Sequence, residues 1–335
     1  MIVEWDKEKA EKTALVNGVI MPSIVVVGSS NTDMVVRVPH IPVPGETVLG
    51  GDFIVAAGGK GANQAVAAAR LGATVFLVAC LGEDTLGDSA IANFRREGIR
   101  TDYLVRYAEA PSGVALIFVG QGGENSIAVA PGANEQLSQE HLESAKKAII
   151  ESDVVLLELE VPLTTVSRAI SMARQAGVKV ILNPAPARPL GDELLAQVDI
   201  ITPNESEASF LTGVEVTDLP SAKEAARALL RAGVGTVVIT MGQRGALLTR
   251  YDDMVLVPGF AVEAVDTTAA GDAFNGGLAW AWGRGMELDK AVRFANAVGA
   301  LAVTKMGAQP SLPTLEEVKA FLTEGGAADL VLCLQ

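Results

Sequence analysis

Ser23-Ile24-Val25-Val26-Val27-Gly28-Ser29-Ser30-Asn31-Thr32-Asp33 is a short β-branched segment that gives way, at Gly28, to polar residues. Consecutive apolar residues without alternation mark a strand buried on both faces. The polar cluster then lies at the strand's carboxyl end, where open α/β sheets hold ligands. The same unit recurs downstream. Residues 75–80, 153–159, 178–182, 198–201 and 236–240 read as strands, and 86–97, 138–150, 162–176 and 221–232 as helices. Residues 246–249 read as an antiparallel strand after the last of these. This alternation predicts an α/β fold with a mostly parallel central sheet flanked by helices on both faces.

Two segments break the alternation. Residues 34–57 are interrupted by Pro39, Pro42, Pro44, Gly45, Gly50 and Gly51, and their apolar residues tend to alternate. Residues 113–119 and 126–129 flank the turn Gly120-Gln121-Gly122-Gly123-Glu124-Asn125, a hairpin signal. The two pieces, about 34–57 and 113–129, are expected to pair as a small β-sheet lid over a site. With the main sheet they form one domain over residues 21–325. Residues 1–20, with Glu4, Asp6, Lys7, Glu8, Lys9, Glu11 and Lys12, are expected to be a flexible N-terminal extension. Residues 326–335 form a C-terminal tail, apolar after the joint at Gly325-Gly326.

Of 335 residues 49% are hydrophobic but only 4% aromatic, so Val, Ile, Leu and Ala must fill the core. Lys and Arg number 26 against 40 Asp and Glu, a net charge of −14. Such a surface argues against nucleic acid or an anionic membrane as partner, but a local nest of amides can still bind an anion. No apolar stretch reaches transmembrane length, and no signal-peptide pattern is present. Two cysteines, Cys80 and Cys333, imply no disulfide framework and fit a cytoplasmic setting. With only His40 and His141, a Ser-His-Asp triad or a His-rich zinc site fits poorly. Carboxylates, lysine, backbone amides and hard cations are left to do any chemistry.

Two stretches have the composition for it. Gly58-Gly59-Lys60-Gly61-Ala62-Asn63-Gln64-Ala65 is a glycine-rich loop entering an Ala-rich helix. It is no Walker A loop, because no Ser or Thr follows the lysine, and its glycine spacing is wrong for a dinucleotide fingerprint. It is either a tight strand–helix turn or a place where backbone approaches a ligand, with Lys60 and Asn63 as polar groups. Val265-Asp266-Thr267-Thr268-Ala269-Ala270-Gly271-Asp272-Ala273-Phe274-Asn275-Gly276-Gly277 begins turn-like and ends as a helix. Open amides at such a start attract anions. Asp272 there is either a helix cap or a base beside a phosphoryl group in transfer. Glu160, Asn183, Asn204, Glu207 and Thr240 also follow apolar strands or open helices, so they share the carboxyl side.

The glycine-rich loop and Asp266-Thr267-Thr268-Ala269-Ala270-Gly271-Asp272 together resemble the two signatures of the ribokinase-like carbohydrate kinases. Asn183-Pro184-Ala185-Pro186-Ala187, Thr202-Pro203-Asn204-Glu205 and Gly307-Ala308-Gln309-Pro310-Ser311 extend the resemblance, which runs from about Ser23 to Leu322. The first and last of these three look like the ribose-phosphorylating members rather than fructokinases or adenosine kinases. The resemblance implies ATP-dependent phosphorylation of D-ribose to D-ribose 5-phosphate; the alternatives are a kinase of another pentose or deoxyribose, or a non-catalytic sugar- or nucleotide-binding regulator, which the intact Asp272 stretch disfavours. It casts Asp272 as general base and the amides of Ala269, Ala270, Gly271 and Asp272 as the hole for developing negative charge. It gives the sugar to Asn31, Asp33, Gly59, Lys60, Gly61, Ala62, Asn63, Glu160 and Asp272. ATP falls to Asn204, Thr240, Met241, Gly242, Gln243, Arg244, Gly245, Gly271, Asp272 and Asn296. Asn296 stands where some members carry a histidine beside the adenine. Mg²⁺ would be held through water by Asn204 and Glu207. K⁺ would be held by Asp266 with Thr268, Ala302, Lys305, Gly307 and Ser311. Pairing of lid sheets implies a homodimer.

Overall fold

The run at the start of the fold becomes strand β1 (Ser23–Val27), and Ile24, Val25, Val26 and Val27 are all fully buried in it. This is a computed structural model describing residues 15–16, 19–251, 253–325 and 327–334. The strands that follow are β2 (Asn31–Arg37), β3 (Phe53–Gly58), β4 (Thr74–Gly82), β5 (Leu104–Tyr107), β6 (Gly113–Val119) and β7 (Asn125–Ala130). Then come β8 (Val154–Leu157), β9 (Lys179–Leu182), β10 (Ile200–Ile201), β11 (Thr236–Thr240), β12 (Ala246–Arg250) and β13 (Asp253–Val257). The principal helices are α1 (Lys60–Arg70), α2 (Thr85–Arg96), α3 (Gln139–Glu151), α4 (Leu163–Gln175), α5 (Glu205–Thr212), α6 (Leu219–Arg231), α7 (Ala270–Gly283), α8 (Leu288–Ala302) and α9 (Leu315–Glu324).

The central sheet runs β13-β12-β11-β10-β9-β8-β1-β4-β5. From β11 to β5 all pairs are parallel; β12 and β13 add to one edge antiparallel. Side chains alternate across it with the period of two that a strand imposes. Ile24 and Val26 join a core with residues of α1, α7, α8 and α9, whereas Val25 and Val27 join one with α3, α4 and α6. The predicted α/β fold with helices on both faces is therefore what forms. Chain order reverses at β1, which has β4 on one side and β8 on the other. A crevice opens at such a reversal, outside the carboxyl ends of the strands.

A second sheet, ordered β3-β2-β6-β7, grows out of that end. The two expected β pieces do pair with each other, β2 lying parallel to β6 and antiparallel to β3. The strand begins earlier than expected, because Asn31, Thr32 and Asp33 are already in register with β3 and β6. Asn31 and Asp33 therefore share a face of a strand instead of lying in a loop. Phe53, Val55, Leu116, Ile127 and Val129 of this sheet are exposed.

Strand β5 carries no apolar run of the kind that marks a central strand; β13 does hold one, Met254–Val257, but it lies at the sheet edge with Val255 and Leu256 exposed, and neither is among the strands expected from the sequence. Most of the expected extension over 1–20 lies outside the described residues; Leu15–Val16 pairs with Val19–Ile20. In the tail, Ala327, Leu330 and Leu334 are buried against the core that holds α8 and α9.

Candidate active site

The first half of the site forms where β1 and β8 part. Asn31 Nδ2 and the Lys60 amide both donate to Glu160 Oε2, at 3.3 and 3.2 Å, and Ser29 Oγ donates to the same oxygen at 2.6 Å. Lys60 Nζ lies 4.0 Å from Glu160 Oε1. Asn31 is held from behind by Asn134, whose Nδ2 reaches Asn31 Oδ1 at 2.8 Å while its Oδ1 accepts from the Ser30 amide. Asp33 stands on the next outward position of β2, opposite β3. A Cβ at Gly58 would come within 2.3 Å of its carboxylate oxygens, so only glycine leaves Asp33 its place. The structure thus brings Asn31, Asp33, Lys60, Asn63 and Glu160 to one crevice, along with the backbone of Gly59, Gly61 and Ala62 at the start of α1.

The second half is the start of α7. Ala269 adopts φ 59°, unusual for a residue with a side chain and a mark of functional strain. The Ala270 amide bonds Thr267 O at 3.3 Å and the Ala273 amide bonds Ala269 O at 2.8 Å. Between them the amides of Gly271 and Asp272 meet no main-chain acceptor among the described residues. These two N–H groups, with the helix dipole behind them, are left open, as an anion-binding helix start requires; the Ala270 amide is partly committed. Asp272 is buried, its Oδ2 accepting from Asn63 Nδ2 at 2.9 Å and its Oδ1 from Gln64 Nε2 at 3.1 Å. Asn275 secures the turn by donating to Gly271 O at 2.8 Å.

Three charges set the electrostatics. Burial raises the Asp272 pKa to about 6, although Lys60, Asn63 and Gln64 favour the charged form. Burial likewise raises Asp33 to about 6, with the Glu160 and Asp272 carboxylates adding to the shift. Burial disfavours the Lys60 ammonium, but Asp272, Glu160, Glu158 and Glu207 outweigh it and hold its pKa above the ordinary value. A carboxyl with a raised folded pKa adds stability below its unfolded value and loses it as pH rises through the folded one. Asp33 and Asp272 thus cost stability at neutral pH, a usual trade at a working site.

The other expected residues lie farther along the sheet. Asn204 and Thr240 are bridge partners at the carboxyl ends of β10 and β11. Asn204 caps α5: its Oδ1 accepts from the Glu207 amide and Glu207 Oε2 from the Asn204 amide, both at 2.8 Å. Burial pushes the Glu207 pKa up. Gly242, Gln243 and Arg244 form one exposed helical turn before Gly245, and Arg244 pairs with Glu205. Met241 is 2% exposed, so its side chain belongs to the core and only its backbone faces the site. Asn296 is buried, and both its amide hydrogens go to main chain, Val257 O at 3.1 Å and Pro258 O at 3.2 Å. It fastens the end of β13 to α8.

Asp266 accepts from the Thr268 amide and hydroxyl at 2.9 and 2.6 Å and from the Gly307 amide at 2.8 Å. Burial opposes its charge, but these donors prevail and its pKa falls below the ordinary value. Ala302 O accepts from the Lys305 amide at 3.3 Å; the carbonyls of Thr268, Lys305 and Gly307 have no main-chain donor among the described residues. Ser311 is fully buried nearby, donating to Ala308 O. A carboxylate with uncommitted carbonyls is a hard, oxygen-only donor set that fits a monovalent cation.

Sequence reasoning missed Gln64, Glu158 and Asn134. Gln64 follows Asn63 directly, and consecutive helical positions are not expected to meet one group. Both do, because they grip different oxygens of one carboxylate. Glu158 is fully buried, receiving the amides of Ser29 and Glu160, and burial holds its pKa well above the usual range. The signal for it was a carboxylate inside an apolar run.

Residues 21–315 match the pattern of the pfkB family carbohydrate kinases. The ribokinase of Haemophilus influenzae is 47% identical over 300 residues, covering 90% of this chain and 98% of that protein. The deoxyribokinase of Salmonella typhi is 39% identical over 301 residues, covering 90% and 98%. The structure of Arabidopsis thaliana ribokinase complexed with ribose and ATP superposes with a TM-score of 0.83 at 33% identity, covering 90% of this chain and 99% of that one.

Proposed function

Because the chain belongs to the pfkB family of carbohydrate kinases, we propose that it transfers the γ-phosphoryl group of ATP to the 5-hydroxyl of D-ribose. The observation that carries the chemistry is Asp272: a buried carboxylate with a pKa of about 6, one residue from the open amide of Gly271. Above that pH Asp272 is charged and takes the proton of the attacking hydroxyl. The amides of Gly271 and Asp272 meet the negative charge that builds on the transferring group. Asn31, Asp33, Lys60, Asn63 and Glu160 hold the sugar hydroxyls, offering carboxylate acceptors beside amide and ammonium donors. Asn63 Oδ1 is buried without a partner and suits a hydroxyl donor. The nucleotide lies along Asn204, Thr240 and the backbone of 241–245; the Asn296 amide acts on the pocket wall.

Mg²⁺ belongs to this reading: Asn204 and Glu207 would hold it through water, and it would supply positive charge against the phosphates. Asp266 and the carbonyls of Thr268, Lys305 and Gly307 would hold K⁺, which would supply fixed positive charge to order the turn before Ala269. K⁺ should therefore raise kcat over Na⁺ or Li⁺ in initial-rate assays, and Asp266→Ala should abolish that response; a cation-independent parent protein removes the assignment. The exposed apolar residues of the β3-β2-β6-β7 sheet fit a lid that pairs with the same sheet of a second copy. A cytoplasmic setting is part of the proposal, since ATP and free thiols go together there.

The test is a sugar panel with ATP. D-ribose should give a higher kcat/KM than 2-deoxy-D-ribose, D-fructose or adenosine. A higher value for 2-deoxy-D-ribose moves the proposal to deoxyribose, a reading that the Salmonella typhi relative keeps open.

A further inference from the structure

Gln64 is fully buried in α1, yet it keeps a polar head where a methionine would fill the same space. Its amide orientation is dictated by a chain of contacts. Asn183 Nδ2 donates to Thr202 O at 3.2 Å, a carbonyl that can only accept. Asn183 Oδ1 must then face Gln64, whose Nε2 donates to it at 3.1 Å. The second hydrogen of the same Nε2 goes to Asp272 Oδ1 at 3.1 Å. Gln64 Oε1 is left buried with no partner. A fold seldom keeps such an orphan without a reason elsewhere.

The backbone is shaped to allow the contact. Asp272 and Gly276 stand one turn apart on α7, and a Cβ at Gly276 would lie 2.5 Å from Ala67 Cβ and 2.9 Å from Gln64 O. The missing side chain lets α1 and α7 touch at the level of Gln64. We propose that Gln64 is the positioning residue of the base: it holds Asp272 Oδ1, so that Oδ2, beside Asn63, takes the proton of the sugar hydroxyl. This rests on Asp272 being the base. Each carboxylate oxygen has two lone pairs, so Oδ2 keeps one for the substrate while Asn63 occupies the other. The charged groups facing Asp272 are Lys60 from α1, Glu160 after β8, Asp33 from β2 and Glu207 from α5. Gln64 adds a neutral donor on the oxygen away from the sugar, which favours the charged form.

The test compares Gln64→Met and Gln64→Glu with the parent protein in kcat, KM for sugar and ATP, and the acid limb of kcat/KM. The parent limb should lie near pH 6, where Asp272 and Asp33 take up protons. Gln64→Met should lower kcat at least about 10-fold, keep both KM values within about three-fold, and raise the limb by about one pH unit. In Gln64→Glu two carboxyls would meet and share a proton, so the limb should rise further. This variant decides the matter if the methionine protein does not fold. A lowered kcat with an unmoved limb in both variants, or parent-like kcat and limb, overturns the positioning role. Asp272→Asn run alongside separates the two ideas. If it retains turnover, the base reading falls and Gln64 with it. If it is inactive while Gln64→Met behaves as the parent, only the positioning role falls.

Discussion

Asp272→Asn should lower kcat by about two to four orders of magnitude while KM for sugar and ATP stays within a few-fold. The change keeps the shape of the side chain and removes its charge and its ability to accept a proton. It leaves the amides of Gly271 and Asp272 in place, so anion binding at the start of α7 survives. Relieving a buried carboxylate whose pKa is already raised to about 6 should also leave the protein at least as stable. Steady-state kinetics with a thermal melt check both halves. Turnover near the parent level would mean that proton transfer lies elsewhere and that Asp272 only caps its helix.

Asp33→Ala should lower kcat/KM for the sugar by about 100-fold or more and leave KM for ATP unchanged within about three-fold. Asp33 projects from β2 into the crevice, well away from the carboxyl ends of β10 and β11 where the nucleotide is assigned. Its carboxylate is largely desolvated, so a hydroxyl bonded to it gains more than it would in water. On the proposed reading, deleting it removes an acceptor that the sugar hydroxyls would use. Equal losses toward sugar and ATP would instead point to collapse of the four-stranded sheet.

Much of this was legible in the chain. The central sheet announces itself because a strand buried on both faces reads as an uninterrupted Val and Ile run, as at 24–27 and 237–239. The site loops are legible for a related reason: polar residues directly after such a run stand at the carboxyl side. What periodicity could not supply is contact across the fold. Gln64 and Asp272 lie 208 positions apart, and Ser30 and Asn134 lie 104 apart. Asn296 shows the opposite limit: the resemblance marks it for the nucleotide, but its donors are committed to the Val257 and Pro258 carbonyls. Edge strand β5 was silent because its short, half-buried, mixed sequence carries little hydrophobic pattern, whereas β13 was passed over although Met254–Val257 is a continuous apolar run.

The central claim is that this chain phosphorylates D-ribose with Asp272 as base. It is tested most directly by incubating the purified protein with D-ribose, ATP, Mg²⁺ and K⁺ and identifying the products by phosphorus NMR. The account predicts D-ribose 5-phosphate and ADP in equal amounts, and at least about 100-fold less of both in the same time with Asp272→Asn. Phosphate on another hydroxyl, ATP hydrolysis without a sugar phosphate, or undiminished product from Asp272→Asn would contradict it.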